Sequence, residues 1–398
     1  MTPARRAELV LVTPAGALLG RLLPVTIETP WWQDVEPVVR ALRARDGIEI
    51  TVLRLLEAEL DRPPGGRVTY LAETADPVEL LPWSGALDEQ PLRLAYAKPG
   101  GPAADLAWAE SVVAELALAQ TAPAIQIRTW NLSSLWRLPV QGQTLWLKVV
   151  PPFLAHEGAL LERLAGERVP RLLGRDGGRM LLAEISGADL YEAGLPEYLE
   201  MVSILVGLQR RWMGRAAELG ALGLPDWRAA ALIPAIADVV ARTRDELPPG
   251  DRLRLERFLR ELPARFVALS ACGLGEGLVH GDFHPGNFRG LSSDVTLLDW
   301  GDSGIGHPLL DQAAFLDRVP EAVRERVRSH WLGLWRAAVP GSDPARAAEL
   351  LAPIAAARQA VIYRRFLDHI EPAEHPYHRH DPAEWLGGVV ALEGEAPL

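Results

Sequence analysis

From about residue 196 to the C-terminus the chain reads as a succession of amphipathic helices, and two short stretches break the pattern, GLVHGDFHPGNF at 277–288 and VTLLDWGD at 295–302. Segments such as EYLEMVSILVGLQRRW and RAAALIPAIADVVARTRDEL repeat their apolar residues every three or four positions, the spacing that gives a helix one apolar face. The two interruptions look β-like and load histidine, aspartate and asparagine onto the edge of an otherwise apolar interior. Buried polar groups need partners or a task.

The spacing of those groups has a physical use. Asp282 stands five residues before Asn287, with Pro285 and Gly286 turning the backbone between them, and Asp299 follows after a short hairpin-like spacer. One carboxylate to take a hydroxyl proton, one amide oxygen and one further carboxylate for Mg2+ make the acceptor half of a phosphoryl-transfer site. For Asp282 alone, a polar turn that caps a helix is the simpler reading. The three residues together favour the site.

HGDFHPGN, followed by LLDWGD and GHPLLD, resembles the aminoglycoside phosphotransferase and choline kinase family, the small-molecule branch of the protein-kinase-like fold, with His-Gly-Asp where protein kinases have His-Arg-Asp. The resemblance implies Asp282 as catalytic base, Asn287 and Asp299 as Mg2+ ligands, and His280 as a scaffold residue. It implies ATP or another nucleoside triphosphate as donor and a small-molecule hydroxyl as acceptor. Asp311 is expected to cap or brace a helix, and His284 either to pack with a hydrogen bond, the favoured reading, or to contact the substrate. The implied fold class is α+β: a protein-kinase-like bilobal fold with a small β-rich lobe at 119–186 and a large, mostly helical lobe at 187–398, preceded by an α+β N-terminal domain at 1–118.

Such a site needs a cation on the phosphates. Only two of the 41 basic residues are lysine, and one of them, Lys148, alternates with Leu147 and Val149 in TLWLKVV, the second strand of a hairpin that turns at QGQ. Nine residues on, Glu157 begins a helix whose Leu160, Leu161 and Leu164 form one stripe, so an ion pair is expected to steer Lys148 towards the nucleotide. A solvated strand lysine and a helix-start glutamate are the plainer alternative. No G-x-G-x-x-G loop precedes the hairpin. TWNLSSLWRL stands there, making Ser133 and Ser134 the candidates for phosphate contact. LLAEISGADL reads as the link between lobes, where Glu184, Ile185 and Ser186 offer backbone groups to a purine.

Residues 7–115 have a second resemblance, to the Nudix domain, in EPVVRALRARDGIEI. Arg40, Leu42, Gly47 and Ile48 fall on its helix motif, but Ala41, Ala44 and Arg45 occupy the three metal-glutamate positions. Binding, support of the small lobe or assembly of a homodimer is the role this leaves, and an unrelated α+β domain stays equally open. Trp31 and Trp32 are read as packing residues.

A net charge of -11 argues against nucleic acid or an anionic membrane as partner, and one cysteine, Cys272, excludes an intramolecular disulfide. No apolar run reaches the roughly 18 residues of a membrane span, and a cytoplasmic location is expected. The acceptor stays open among a sugar, an amino sugar, an aminoglycoside-like polyamine and an amino alcohol, the last caged by Trp331, Trp335, Tyr363 and Trp385. The proline-broken histidine-rich stretch at 369–381 lacks the helical spacing of a zinc site. The competing class is a non-catalytic, pseudokinase-like nucleotide-binding module that serves the N-terminal domain.

Overall fold

The computed structural model describes residues 4–291 and 294–394. They form two compact units. The first comprises residues up to Gly158 with Leu172–Glu184 and Phe366–Arg379; the second comprises Ala159–Arg171, Ile185–Arg365 and the residues from His380 onward.

The first unit begins with a five-stranded mixed sheet: β1 (Arg5–Val12), β2 (Leu18–Arg21), β3 (Val25–Ile27), β4 (Thr51–Ala58) and β5 (Gly66–Glu73), in the order β2-β1-β5-β4 with β3 beside β1. β1 runs parallel to β5 and is apolar on both faces. Ala7, Leu9 and Leu11 pack with Val38 and Leu42 of α1 (Glu36–Asp46), while Val10 and Val12 join Leu53 and Leu71 opposite. Gly47 ends α1 at φ 70, a conformation that glycine adopts without penalty. Arg5 is fully buried and donates to the carbonyls of Trp31, Trp32 and Asp34 at 2.7–2.9 Å, which fixes the loop before α1. Trp32 is buried as expected, whereas Trp31 is half exposed.

α2 (Gly101–Glu115) follows, then an antiparallel sheet in the order β6-β7-β8-β10-β9: β6 (Ile125–Trp130), β7 (Ser133–Val140), β8 (Gln143–Val149), β9 (Leu172–Asp176) and β10 (Arg179–Ala183). Its alternation is clean: Trp136, Leu138, Val140, Leu145, Leu147 and Val149 face one side, and Ala109 and Val113 of α2 pack on them. An ion pair of 2.8 Å joins Asp105 of α2 to Arg179 of β10. The Gln126 side chain joins the two sheets by bonding both the N–H and the carbonyl of Val52. α3 (His156–Arg163) starts at the end of this unit.

The second unit is mostly helical: α4 (Leu195–Trp212), α5 (Ala216–Ala221), α6 (Ala229–Arg242), α7 (Pro249–Ala271), α8 (Gln312–Arg318), α9 (Glu321–Ala338), α10 (Pro344–His369) and α11 (Asp381–Gly394). Its β structure is short: β11 (Ala188–Asp189), β13 (Phe288–Leu291) and β14 (Asp294–Leu297) in one sheet, β12 (Gly277–Val279) and β15 (Gly304–Gly306) in another. Met201, Val202, Leu205, Leu208 and Trp212 form the buried stripe of α4. Trp331 and Trp335 of α9 are fully buried, Trp331 with its ring 5.5 Å from Phe283 and 5.7 Å from Phe315, so neither lines an open aromatic cage. Cys272 is buried at the end of α7.

The histidine-rich stretch has a packing role within the first unit. Glu374 accepts from the Leu55 N–H at 2.9 Å and the Asn131 amide at 3.3 Å, and His378 Nε2 lies 3.0 Å from Asn131 Oδ1. Burial pushes the Glu374 carboxyl up to about 7, despite the N–H of Leu55 and the charge of Arg54. The folded chain therefore holds a proton there that an exposed glutamate loses near 4.5. Its stabilising contribution is complete below that pH and is lost as pH rises through 7. Urea midpoints measured from pH 5 to 8 should fall with this slope in the native chain and flatten in Glu374→Gln. An equal slope in both would assign the dependence to other groups.

Candidate active site

β12 delivers the chain into the loop 280–287, and a buried carboxylate holds the entry. Asp311 Oδ2 accepts the His280 N–H at 2.9 Å and the Gln209 amide at 3.0 Å, while Oδ1 accepts the Gly281 N–H at 2.8 Å. Asp311 thus braces the loop; its side chain makes no capping bond to α8, which corrects the helix-capping expectation. Burial pushes its carboxyl up, opposed by Arg358, His280 and the two backbone N–H groups. His280 is fully buried, its Nε2 2.9 Å from the Leu298 carbonyl and its ring 4.6 Å from that of Trp300. It acts as scaffold.

Gly281 follows at φ +94, and a Cβ there would stand 2.0 Å from the Asp302 carbonyl oxygen, so only glycine fits. Its own carbonyl is held twice, by Arg358 Nη2 at 2.8 Å and by Gln359 Nε2 at 3.0 Å, both from α10. The next residue but one, Phe283, is buried and stacks on Phe315 with centroids 4.7 Å apart. Between these anchors Asp282 points outward, its side chain 45% exposed.

The groups around Asp282 set its charge and direction. Burial of the loop pushes its carboxyl up, but the hydrogen bond and charge of His284, then the His280 ring and the Asn287 amide, outweigh burial and hold it at about 2. The carboxylate is ionised at neutral pH. The Gly286 N–H donates to His284 Nδ1 at 3.1 Å, which turns Nε2 towards Asp282 Oδ2, 3.5 Å away. Asn287 Nδ2 donates to the Asp282 carbonyl at 2.8 Å and to its Oδ2 at 3.0 Å. With its amide group turned this way, Asn287 keeps Oδ1 for another partner.

β13 and β14 pair so that the Leu298 N–H reaches the Asn287 carbonyl at 2.7 Å, which brings the chain ahead of Asp299 back to the loop. Asp299 adopts φ 58, a left-handed conformation uncommon outside glycine, and is exposed. An amide oxygen and a carboxylate form a hard-oxygen donor set that suits Mg2+. Among the described residues no group of three or more histidine, cysteine, aspartate or glutamate side chains makes a metal site. Two protein oxygens fit an ion whose remaining ligands come from water and substrate phosphates. Asp302 lies close by, pushed up to about 8 by burial and then by the charges of Asp282 and Asp299, against Arg358 and Arg365.

The residues expected to meet the nucleotide lie in both units. Lys148 Nζ and Glu157 Oε1 form an ion pair of 2.8 Å in the first unit, with side-chain exposures of 15% and 2%. Ser133 Oγ accepts from the Trp130 indole at 3.1 Å; Ser134 is buried and accepts from Trp136 at 3.0 Å. Glu184 closes the first unit and accepts from the Trp146 indole, and Ile185 and Ser186 open the second, where the Ile185 carbonyl takes Arg289 Nε at 2.9 Å. Sequence reasoning missed Gln209, Arg358 and Gln359, which no local pattern marks because their partners lie far away in the chain, and it gave no role to Asp302, although LLDWGD ends on it.

The chain matches a macrolide 2'-phosphotransferase from Brachybacterium faecium at 19% identity over 70% of this chain and 97% of that one, with a TM-score of 0.51. A choline/ethanolamine kinase family protein from Mesorhizobium loti matches at 20% identity over 74% and 95%, with a TM-score of 0.47. A choline kinase from Streptococcus pneumoniae matches at 14% over 72% and 99%, with a TM-score of 0.49. The first establishes a shared fold. No curated protein sequence matches the chain. Among the described residues no helix is long and apolar enough to cross a membrane. Residues 131–350, more than half of the chain and including Lys148, Asp282, Asn287 and Asp299, match the model of the phosphotransferase enzyme family, and to that family this protein belongs.

Proposed function

We propose that this phosphotransferase moves the γ-phosphoryl group of ATP, or of another nucleoside triphosphate, to a hydroxyl of a small molecule in the presence of Mg2+. The observation that carries the reading is the Asp282–Asn287 pair: an ionised, outward-facing carboxylate whose neighbouring amide is turned so that its oxygen stays available. Asp282 Oδ orients the acceptor hydroxyl and takes its proton as the oxygen bonds to phosphorus and the bond to the leaving diphosphate breaks. Asn287 and Asp299 would hold Mg2+, which neutralises phosphate charge. Lys148, steered by Glu157, supports the phosphates, backbone at Ser133 and Ser134 lies on that side, and Glu184 to Ser186 meet the base.

The acceptor is a sugar, amino sugar, aminoglycoside-like polyamine or amino alcohol, and the carboxylates Asp282 and Asp299 suit one that carries amines. In this reading residues 119–186 act as the small lobe, 187–398 as the large one, and 1–118 as an N-terminal domain that supports it or pairs two copies.

ATP consumption with a panel of these acceptors tests the proposal. Asp282→Asn should bind nucleotide almost normally and lose at least about 10²-fold in kcat, the lower bound for removing a general base. Asp299→Asn should instead weaken Mg2+-dependent nucleotide binding, and Lys148→Met should lower nucleotide affinity while the chain stays folded. If no acceptor is consumed although nucleotide binds, the protein is a binding module. Loss of binding in Asp282→Asn with kcat preserved would make Asp282 structural.

Arg358 and Gln359 act through the Gly281 carbonyl as positioning residues. Gln359→Leu removes one of two donors and should cost about tenfold in kcat, the worth of one hydrogen bond, with nucleotide affinity unchanged. Unaltered kcat in a folded Gln359→Leu would show that Arg358 alone suffices.

A further inference from the structure

The N-terminal sheet carries a cleft of about 450 Å³ on the face opposite α1. Its volume lies in the range of small-molecule sites. The geometry points to a second ligand site, for a small organic anion with one carboxylate or phosphate headgroup on a flat apolar body. It is independent of the phosphotransferase loop.

The floor of the cleft holds an unbalanced set of buried charges. Arg54, Arg93 and Glu371 line it with side-chain exposures of 4%, 9% and 5%. Arg93 takes the Glu371 carboxylate through Nη2 at 2.9 Å and Nε at 3.2 Å. Arg54 is left with Glu371 Oε1 at 3.7 Å, beyond hydrogen-bond reach; Nη1 bonds the Ala97 carbonyl at 3.0 Å, and the buried Nε–H has no acceptor. Two guanidinium groups therefore share one carboxylate. Arg54 feels the imbalance: burial, and next the charge of Arg93, lower its pKa to about 10 against the pull of Glu371, Glu374 and the exposed Glu89. Glu374 does not supply the missing charge, because it is already engaged by Leu55 and Asn131 and is pushed up to about 7. Charges out of water are costly unless each is paired and hydrogen-bonded. One further anion with a free acceptor oxygen would complete the set.

The walls and rim narrow the chemistry of what brings that anion. Trp83, Leu56 and Leu87 provide an apolar wall, and a flat ring is the body that an indole covers best. Glu57, Glu59 and Asp88 stand in the lining too and outnumber the one further cation there, Arg67, with the Glu8 carboxylate already paired to Arg21. These carboxylates repel a polyanion and attract an amine or hydroxyl at the far end of the ligand. A triphosphate is thus a poor fit here, which separates this site from the nucleotide reading above. The occupant is a single-headed anion that is neutral or cationic at its other end.

Isothermal calorimetry on the full chain tests this with four probes: benzoate, 4-(aminomethyl)benzoate, phenyl phosphate and benzylamine. One aromatic anion at least should bind saturably with one site per chain, the benzoate and phenyl phosphate arms deciding between carboxylate and phosphate. 4-(Aminomethyl)benzoate should bind tighter than benzoate, and benzylamine should not bind. Arg93→Gln, which removes a charge-assisted contact, and Trp83→Ala, which removes the aromatic wall, should each weaken the anion about tenfold or more, and Asp282→Asn should leave it unchanged. Trp83 is only partly buried, so its variant remains informative where a floor variant fails to fold. Absence of saturable binding by every anion, or binding untouched by Trp83→Ala in a folded protein, would overturn the assignment.

Discussion

The loop 280–287 depends on the carboxylate of Asp311. Two consecutive backbone N–H groups, of His280 and Gly281, follow the end of β12 and point into the protein interior, where they need acceptors. Both oxygens of Asp311 accept them, and the Gln209 amide from α4 takes a further lone pair. A buried carboxylate is expensive alone, and burial raises its pKa; the backbone N–H groups and the charges of Arg358 and His280 repay that cost. The loop's next carbonyl, of Gly281, faces the opposite need and is met by Arg358 and Gln359 from α10. Donor and acceptor of one glycine are thus fixed by separate elements. Asp282 is held at its backbone while its side chain stays outward.

This explains why the motif tolerates so little variation in geometry. A side chain at Gly281 would strike the backbone of Asp302, and Phe283 is locked in an aromatic stack with Phe315 and Trp331. The proton transfer and metal binding proposed for this loop would require oxygen positions that do not wander, and the surrounding packing supplies that rigidity in advance. Asn287 completes it, since its amide bonds both the backbone and the side chain of Asp282.

The parts legible in the sequence were those written in consecutive residues. Strand alternation in β7 and β8, the rarity of lysine at Lys148, and the spacing of Asp282, Asn287 and Asp299 all follow from local chemistry, and the Lys148–Glu157 ion pair follows from a strand and the helix after it. Asp311 was visible as a motif residue, but its partners in the loop were not, because a carboxylate before a helix looks the same whether it caps that helix or reaches back 31 residues. Gln209, Arg358 and Gln359 were hidden for the same reason: in a chain whose cations are nearly all arginine, one more on a long helix carries no signal. Trp331 and Trp335 have the composition of a binding cage and the environment of a core, and composition alone cannot separate the two. The 369–381 stretch was opaque because its contacts, from Glu374 to Leu55 and from His378 to Asn131, span more than 240 residues.

The central physical claim is that Asp311 clamps the loop, and peptide-resolved amide hydrogen exchange across 278–283 measures it without any knowledge of the acceptor. The His280 and Gly281 amides should exchange only through global unfolding in the native chain and become fast in a folded Asp311→Ala variant, because the acceptors are gone while the surrounding helices remain. Rapid exchange of both amides in the native chain, or undiminished protection in the variant, would contradict the account.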